Sequence, residues 1–402
     1  MSKDEIERRV PNLRFKGFTD DWMQEKILNL GEINPASNLP KFIEYVDLES
    51  VKGTSLISHQ KLESITAPSR AQRLAQKGDI FFQTVRPYQK NNYYFDMDNS
   101  NFVFSTGYTQ IRPTKVNGKF LFYKIQSDNF VIEVLKRSTG TSYPAINSND
   151  LSNINFLVPK NNVEQKLIGN LLIKLDEIIA LEQEKNRKLE LIKKELTGTL
   201  YATSNSIPIL RFNNFNKPWR KQPLSNALQI KNIRKPVNAE YPLMSFTSTD
   251  GITPKGQRYD RSFLVKNSNK KYKRTNYTDV IYSSNNLDVG AIGLNSYGKA
   301  SISDVYEIFE VQKGYNPNFI STLIKEPSEL NKILKYRQGA LYGQYKIYPE
   351  DFLKIKSYFP STEEQVIIST FLNKINVQIS NNNKKIDKYL LIKKVLLKNL
   401  FI

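Results

Sequence analysis

The sequence has no cysteine and only one histidine, His59, among its 402 residues. A chain without cysteine has no disulfide framework, no thiolate nucleophile and no cysteine-ligated zinc, and a single histidine cannot form a two-histidine metal site. Glycine and proline are scarce, at 17 and 18 residues, which excludes collagen-like and Pro/Gly-rich disordered chains. With 39% hydrophobic residues, the chain has enough apolar side chains to form folded cores.

Long apolar runs are also absent. No stretch approaches the roughly 18 residues that a membrane-spanning helix needs, and the N-terminal segment is charged, unlike a secretory signal. We therefore expect a cytoplasmic protein. Basic residues outnumber acidic ones by 59 to 39, for a formal net charge of +20. Residues 201 to 360 alone carry +12, which favours a polyanionic partner such as nucleic acid.

An internal repeat organises the chain. Five residues of an N-terminal motif recur in the same order 197 positions later, and the two motifs contain the only two tryptophans. The first motif is Leu13, Arg14, Phe15, Phe18 and Trp22, and the second is Leu210, Arg211, Phe212, Phe215 and Trp219. The pair Glu164-Gln165 and the segment 191–194 recur 200 positions later, as 364–365 and 391–394. The chain is therefore a tandem duplication.

Each repeat ends in a segment that predicts a long helix. Residues 160–207 lack proline, and residues 361–402 lack both proline and glycine. A polar residue three positions before Glu164, and another before Glu364, predict a capping box at each helix start.

Apolar side chains follow three-four spacing along both segments, which predicts that the two helices pack on each other as a coiled coil. The alternative is that each helix lies separately on its own domain. The predicted coiled-coil positions are Leu171, Leu175, Leu189, Ile192 and Leu196 in the first helix, and Phe371, Ile375, Ile386, Ile392 and Leu396 in the second.

The remaining parts of each repeat have the pattern of mixed α and β structure. Short apolar runs bounded by turn residues predict strands, among them 79–82, 102–104, 279–282 and 308–311. Candidate helices at 119–137 and 318–336 complete an α+β fold with two tandem α/β domains. The predicted organisation is an N-terminal segment 1–11, a first globular domain 12–159, a helical segment 160–203, a second globular domain 204–360 and a second helical segment 361–402.

Familiar catalytic motifs are missing. The nearest is Gly293 to Ala300, which departs from the phosphate-binding loop pattern at Ala300, where Ser or Thr would hold magnesium. We therefore predict no catalytic, cofactor-binding or metal-binding residue on this chain.

The candidate DNA-binding residues lie in basic, aromatic and Asn-rich segments. Arg suits guanine and Asn or Gln suits adenine in the major groove, while Lys and Arg neutralise phosphates. The alternative role of each is turn formation or a solvated loop. The candidates in the first half are Arg86, Tyr88, Lys90, Asn91, Asn92, Arg137, Ser138, Thr141 and Tyr143. Those in the second half are Arg258, Lys271, Arg274, Ser284, Asn285, Asn286, Tyr297, Lys299, Arg337, Gln338, Tyr342 and Gln344.

These features together resemble the specificity subunit of type I restriction-modification systems. The resemblance rests on the Leu-Arg-Phe-x-x-Phe-x-x-x-Trp motif that opens each domain, the Pro and Glu-Gln at each long helix, and the second copy of both. It implies two target-recognition domains, each reading half of an asymmetric bipartite DNA site, and two helices packed antiparallel as a molecular ruler. The DNA-contacting loops differ between the halves, so individual contacts do not carry over from the family.

The resemblance also implies partners. These are double-stranded DNA, two methyltransferase (modification) subunits that carry S-adenosylmethionine, and motor-nuclease (restriction) subunits that use ATP and magnesium. The chain itself would be a non-catalytic adaptor with no cofactor of its own.

Two other classes of function account for part of the sequence. A drifted DNA methyltransferase or nuclease would need a Gly-rich cofactor loop and an Asn/Asp-Pro-Pro-aromatic motif, which the sequence lacks. A coiled-coil scaffold would leave the duplicated globular domains and the basic excess unexplained. We therefore expect the DNA-recognition subunit of a type I restriction-modification complex.

Overall fold

The structure is a computed structural model that describes residues 9–99, 101–203, 205–247, 251–254, 270–285, 287, 292–341 and 344–402. The chain divides into two compact units. The first unit comprises residues 1–184 together with 383–402, and the second comprises residues 185–382. In the described ranges, none of the helices is both long and apolar enough to cross a membrane.

The first unit contains two four-stranded sheets. One has the order β2-β11-β8-β9, and the other has the order β6-β3-β10-β7 with β3 and β10 parallel. Its strands are β1 Met23–Lys26, β2 Gly31–Ile33, β3 Phe42–Val46, β4 Val51–Lys52, β5 Ser55–Leu56, β6 Gln60–Glu63, β7 Ala71–Leu74, β8 Ile80–Gln83, β9 Tyr93–Tyr94, β10 Phe102–Ser105, β11 Tyr108–Pro113 and β12 Asn155–Val158. Its helices are α1 Ile27–Leu30, α2 Gly118–Lys124, α3 Asp128–Arg137, α4 Ser148–Ser152 and the beginning of α5 Asn162–Leu200.

The second unit repeats the first of these sheets as β14-β22-β19-β20 and has a three-stranded sheet, β15-β18-β21. Its strands are β13 Arg220–Pro223, β14 Leu228–Ile230, β15 Arg234–Pro236, β16 Met244–Thr247, β17 Gly251–Pro254, β18 Lys271–Thr275, β19 Val280–Ser283, β20 Ile292–Leu294, β21 Ala300–Ile302, β22 Tyr306–Val311, β23 Gln338–Leu341, β24 Gln344–Lys346 and β25 Lys356–Phe359. Its helices are α6 Pro317–Leu323, α7 Pro327–Leu334, α8 Pro349–Lys354, the end of α5 and the beginning of α9 Thr362–Asn399.

The predicted helical regions 119–137 and 318–336 are confirmed, and each contains two short helices: α2 and α3 in the first, α6 and α7 in the second. In the first unit, α2 ends at Lys124, and Ser127 caps the start of α3, where its hydroxyl accepts a hydrogen bond from Phe130 N at 3.4 Å. In the second unit, Pro327 occupies the first turn of α7, where its missing N–H costs no helical hydrogen bond.

The repeated motifs fasten each long helix to its globular part. The guanidinium of Arg14 donates two hydrogen bonds to the carboxylate of Glu164, at 2.7 and 2.9 Å. Arg211 makes the same fork with Glu364, with both distances at 2.8 Å. Each Glu therefore binds an arginine of the opening motif, instead of completing the predicted capping box.

The glutamine after each Glu completes the same attachment. Gln165 accepts a hydrogen bond from Asn117 N at 2.8 Å, and Gln365 accepts one from Asn316 N at 2.9 Å. Both asparagines also cap the helix that follows them. The two tryptophans are buried, with the ring of Trp22 5.8 Å from that of a phenylalanine in α2 and the ring of Trp219 at the same distance from its counterpart in α6. The duplication is thus a duplication of structure.

The long helices bury, fully or partly, most of the predicted positions, but three of the ten are exposed. Leu171, Ile192 and Ile392 are 37%, 50% and 38% exposed, so their prediction as buried positions is wrong. In α5 the buried side chains follow one another at steps of three or four residues, beginning at Ile168. Leu172, and not Leu171, therefore lies on the buried face. The other predicted positions are buried or partly buried: Leu175, Leu189, Leu196, Phe371, Ile375, Ile386 and Leu396.

Candidate nucleic-acid interface

Two predicted segments meet in the first unit. Residues 84–92 and 137–146, which we call the first loop pair, are joined by backbone hydrogen bonds of 3.1 and 2.8 Å. These bonds run from Ile146 N to Thr84 O and from Arg86 N to Pro144 O. Segments more than 40 positions apart in the sequence therefore form one surface.

Arg86 and Tyr143 form the most specific contact of this surface. The guanidinium carbon of Arg86 lies 4.3 Å from the centroid of the Tyr143 ring, a cation–π geometry. The tyrosine is 63% exposed. This contact joins two predicted candidates, one from each loop.

Two other cations of the first loop pair are bound to carboxylates. Lys90 donates to Asp128, and this hydrogen bond holds the pKa of the carboxyl below its usual value. Arg137 donates to Glu133 at 2.9 Å, within the same helix. These cations can still contribute positive charge near DNA, although the paired acids offset part of it.

The remaining candidates of the first loop pair fall into two groups. Tyr88 and Thr141 are exposed, whereas the hydroxyl of Ser138 donates to Val134 O at 2.9 Å as part of a helix end. The Asn91 side chain accepts a hydrogen bond from Gly53 N at 2.8 Å. Some of the candidate side chains are therefore used in hydrogen bonds within the unit.

Asn92 is only 1% exposed, so its prediction as a DNA-contacting residue is wrong. Its carbonyl oxygen accepts from Gln83 N at 2.8 Å, and its amide donates to Gln126 Oε1 at 3.3 Å. The side chain satisfies polar groups beneath the loop, where an unsatisfied donor would destabilise the fold.

The second unit has an equivalent arrangement. Residues 283–285 and 336–347, which we call the second loop pair, are joined by a hydrogen bond of 3.1 Å from Ile347 N to Ser284 O. The hydroxyl of Tyr282 also donates to Ile347 O, at 3.0 Å. The second loop pair therefore occupies the place that the first loop pair has in its own unit.

The side chains of the second loop pair differ from those of the first. The guanidinium carbon of Arg337 lies 5.7 Å from the centroid of the Tyr345 ring, and Gln338 donates to Asp351 at 2.6 Å. Ser284 is buried and its hydroxyl donates to the half-buried Asn285, at 3.2 Å. Gln344 begins β24. Of the other candidates, Arg258, Asn286 and Tyr342 lie outside the described residues.

A separate basic cluster in the second unit surrounds Tyr241. The guanidinium carbon of Arg274 is 4.2 Å, and the ammonium of Lys299 5.8 Å, from the centroid of the tyrosine ring. Lys299 also pairs with Glu240, whose hydrogen bond raises the pKa of the lysine. Lys271 and Tyr297, the other candidates near this part of the sequence, are exposed.

Sequence reasoning missed Tyr241, because nothing in its local pattern relates it to basic residues more than 30 positions away. Another basic residue, which neighbours the candidate Arg274, has a structural role. Lys273 is buried and pairs with Glu307 at 2.6 Å, so this lysine belongs to the interior of the unit.

Known proteins resemble this chain in part of its sequence and in its fold. Residues 12–191 match the family model for the type I restriction modification DNA specificity domain. The HindI specificity subunit of Haemophilus influenzae is 28% identical over 133 residues, and the MjaVIII specificity subunit of Methanocaldococcus jannaschii is 29% identical over 101 residues. These alignments cover 32% and 25% of this chain, and 29% and 24% of the lengths of the two relatives.

Two solved structures match nearly the whole chain. The S subunit of a type I restriction-modification system from M. genitalium has a TM-score of 0.64 at 15% identity, over 98% of this chain and 99% of that one. A chain from a study of complex assembly and conformational transition in the type I R-M system has a TM-score of 0.55 at 19% identity, over 97% and 99% of the two chains. At these identities the likeness shows a shared fold.

Proposed function

We infer, from the premise that the chain is a type I restriction-modification specificity subunit, that it reads an asymmetric bipartite DNA sequence with one half-site for each unit. One observation carries this inference. A hydrogen-bonded loop pair recurs at the equivalent place in both units, tied in each case by an isoleucine N–H at 3.1 Å. Since the scaffold is repeated and the polar side chains differ, the two units would recognise different half-sites.

The loop pairs supply the side chains that base recognition requires. Base edges in the major groove are distinguished by paired donors and acceptors, which arginine, asparagine and glutamine provide. Arg86 in the first unit, and Arg337 with Gln338 in the second, are the members best suited to this role. The cluster around Tyr241 adds basic groups that can bind phosphates and so orient the second unit on the duplex.

We propose that the two long helices pack antiparallel as a coiled coil and set the spacing of the half-sites. Within the first unit, Asp176 of α5 pairs with Lys393 of α9 at 2.6 Å, and Glu182 pairs with Lys385 at 2.8 Å. From Asp176 to Glu182 the chain of α5 advances, while the partners in α9 go back from Lys393 to Lys385. This is the order that two antiparallel helices require. Apolar residues of both helices also share the core of the second unit.

The partners proposed for the assembled complex follow from the family. They are two modification subunits that carry S-adenosylmethionine and methylate DNA, and motor-nuclease subunits that use ATP and magnesium. The present chain would bind double-stranded DNA and position these subunits without catalysing a step. Exposed apolar side chains on α5 and α9 offer them contact area, among them Leu167, Leu181, Leu191, Val366, Val377 and Leu391.

Reconstitution tests this function. Purified chain, a modification subunit and S-adenosylmethionine are combined on DNA, each also being omitted in turn, and methylation is mapped by sequencing. We expect sequence-specific methylation only when both proteins are present. Methyl transfer by the purified chain alone would contradict the non-catalytic role, and methylation by the modification subunit at the same sites without the chain would contradict the recognition role.

A further inference from the structure

The backbone of Arg86 has an unusual conformation. Its φ and ψ are 54° and 56°, and Lys90, four residues later, has φ 55° and ψ 32°. Both lie in the left-handed region, which disfavours side chains other than glycine, asparagine and aspartate. The two residues flank a 3-10 helix of one turn, Pro87–Gln89. A conformation of this kind persists where the surroundings hold it, and such residues cluster at functional sites.

Contacts on the backbone of Arg86 hold it in this conformation. Its N–H donates to Pro144 O at 2.8 Å, and its carbonyl accepts from Gln89 N at 3.0 Å. The facing loop turns at Gly140, which has φ 90°, and a Cβ there would lie only 3.0 Å from the carbonyl oxygen of Tyr143. Both sides of the contact between Arg86 and Tyr143 are therefore fixed by the main chain.

The guanidinium of Arg86 is contacted by a different kind of group from the neighbouring cations. Lys90 and Arg137 are bound to Asp128 and Glu133. For Arg86, the described residues provide an aromatic ring at 4.3 Å and no carboxylate. Stacking on the ring fixes the plane of the guanidinium and uses only its face. The N–H groups at its edge therefore stay available to donate hydrogen bonds to a ligand.

We propose that Arg86, oriented by Tyr143, is a specificity-determining residue that reads a guanine in the half-site of the first unit. The proposal rests on the proposed function and names the base that this part of the site takes. Two parallel N–H donors of a guanidinium match O6 and N7 of guanine in the major groove. A phosphate contact needs only positive charge within reach, which flexible lysines supply without a fixed plane. The fixed plane therefore favours a base over a phosphate.

Selection from a randomised duplex library by the full-length chain tests the proposal. Wild type and four variants are compared: Arg86→Asn, Arg86→Lys, Tyr143→Phe and Arg70→Asn. Asparagine is compatible with the left-handed backbone, so Arg86→Asn removes the guanidinium without forcing the loop to refold. Lysine keeps the charge but not the fork, and Tyr143→Phe keeps the ring. Arg70→Asn is the matched control, because it removes an exposed guanidinium of the same unit that lies outside the first loop pair.

We expect a guanine at one position of one half-site for wild type, Tyr143→Phe and Arg70→Asn. At that position alone, the preference for guanine over the other bases should fall by a factor of roughly 5 to 150 in Arg86→Asn and Arg86→Lys. This factor corresponds to the loss of a bidentate base contact of about 1–3 kcal/mol. Retention of every base preference by Arg86→Asn, with affinity lowered uniformly, would overturn the proposal in favour of a phosphate contact and leave the proposed function intact. Failure of wild type to select any sequence would overturn both.

Discussion

At the scale of single residues, the direction in which a side chain points decides its role. Asn91 and Asn92 are adjacent and chemically identical, yet the first lies nearer the surface and the second is buried beneath the loop. An irregular loop has no period from which orientation can be predicted, as a helix or strand has. Sequence therefore predicted the loops that meet and the residue types in them, but not which members face solvent.

Asn92→Ala should destabilise the protein without altering base preference. The substitution leaves the buried Gln83 N–H and Gln126 carbonyl without their 2.8 and 3.3 Å partners, at a cost of about 1–3 kcal/mol. Tyr88→Ala, on the exposed side of the same loop, should change stability by less than about 0.5 kcal/mol. Urea unfolding of the full chain measures both. Equal stabilities of the two variants would show that the buried hydrogen bonds of Asn92 do not contribute.

Lys124 should make stability rise with pH. Burial lowers the pKa of this lysine from 10.5 to about 8. Below pH 8 it is protonated in both the folded and unfolded states, so the fold bears the cost of the buried charge, which the hydrogen bond from the ammonium to Ile402 O offsets only in part. Between pH 8 and 10.5 the unfolded state binds more protons, so the free energy of unfolding increases and the cost disappears.

Lys124→Met removes this titration. Between pH 7.5 and 10.5, the free energy of unfolding should rise by about 3 kcal/mol more in wild type than in the variant. The same measurement on Lys115→Met, at an exposed lysine, serves as the control and should show a much smaller change relative to wild type. Parallel pH profiles for wild type and Lys124→Met would contradict the assignment.

At the scale of elements, the strongest sequence signals describe how each repeat is held together. The start of each long helix was predicted within two residues, because helix-breaking residues and polar caps lie at those places. Leu171 was assigned to the buried stripe in place of Leu172, because the two apolar residues stand side by side and periodicity alone does not decide between them. The Arg–Glu forks were not predicted, since their members are 150 positions or more apart.

Arg14→Ala should destabilise the attachment of α5 strongly. It leaves the carboxylate of Glu164, which is 1% exposed, without its arginine, and breaking a buried pair in this way costs about 3 kcal/mol or more. Arg234→Ala is the control, because Arg234 pairs with Asp304 at 3.7 Å on the surface and should contribute less than about 1 kcal/mol. Thermal unfolding compares them. A Tm for Arg14→Ala as high as that of Arg234→Ala would show that the fork is dispensable.

Inserting four residues after Asn186 tests the helices as the spacing element. Four residues lengthen a helix by about 6 Å and turn it through slightly more than one revolution, so the apolar face stays nearly in register. We expect longer spacing between two unchanged half-sites when the methylated sequences are mapped. A matched insertion after Asp98, in an exposed loop of the first unit, should leave the spacing unchanged. If the variant with the lengthened helix is active and keeps the original spacing, the helices do not set the distance between the half-sites.

At the scale of the whole molecule, duplication is what the sequence reveals best. Two motifs 197 positions apart predicted two related units, and the structure gives both units the same attachment of the long helix and an equivalent loop pair. The DNA sequence that the two units are proposed to read could not be predicted in the same way. It depends on side chains that differ between the repeats, and within one chain such differences have no pattern to compare with.

The central claim is that each unit reads its own half of the DNA site, and a domain exchange tests it most directly. Residues 210–360 are replaced by the equivalent segment of a specificity subunit with a different known site, and DNA methylated in cells with the cognate modification subunit is sequenced. We predict that one half-site changes to that of the donor while the other half-site and the spacing are retained. A change in both half-sites, or in neither, would contradict the account.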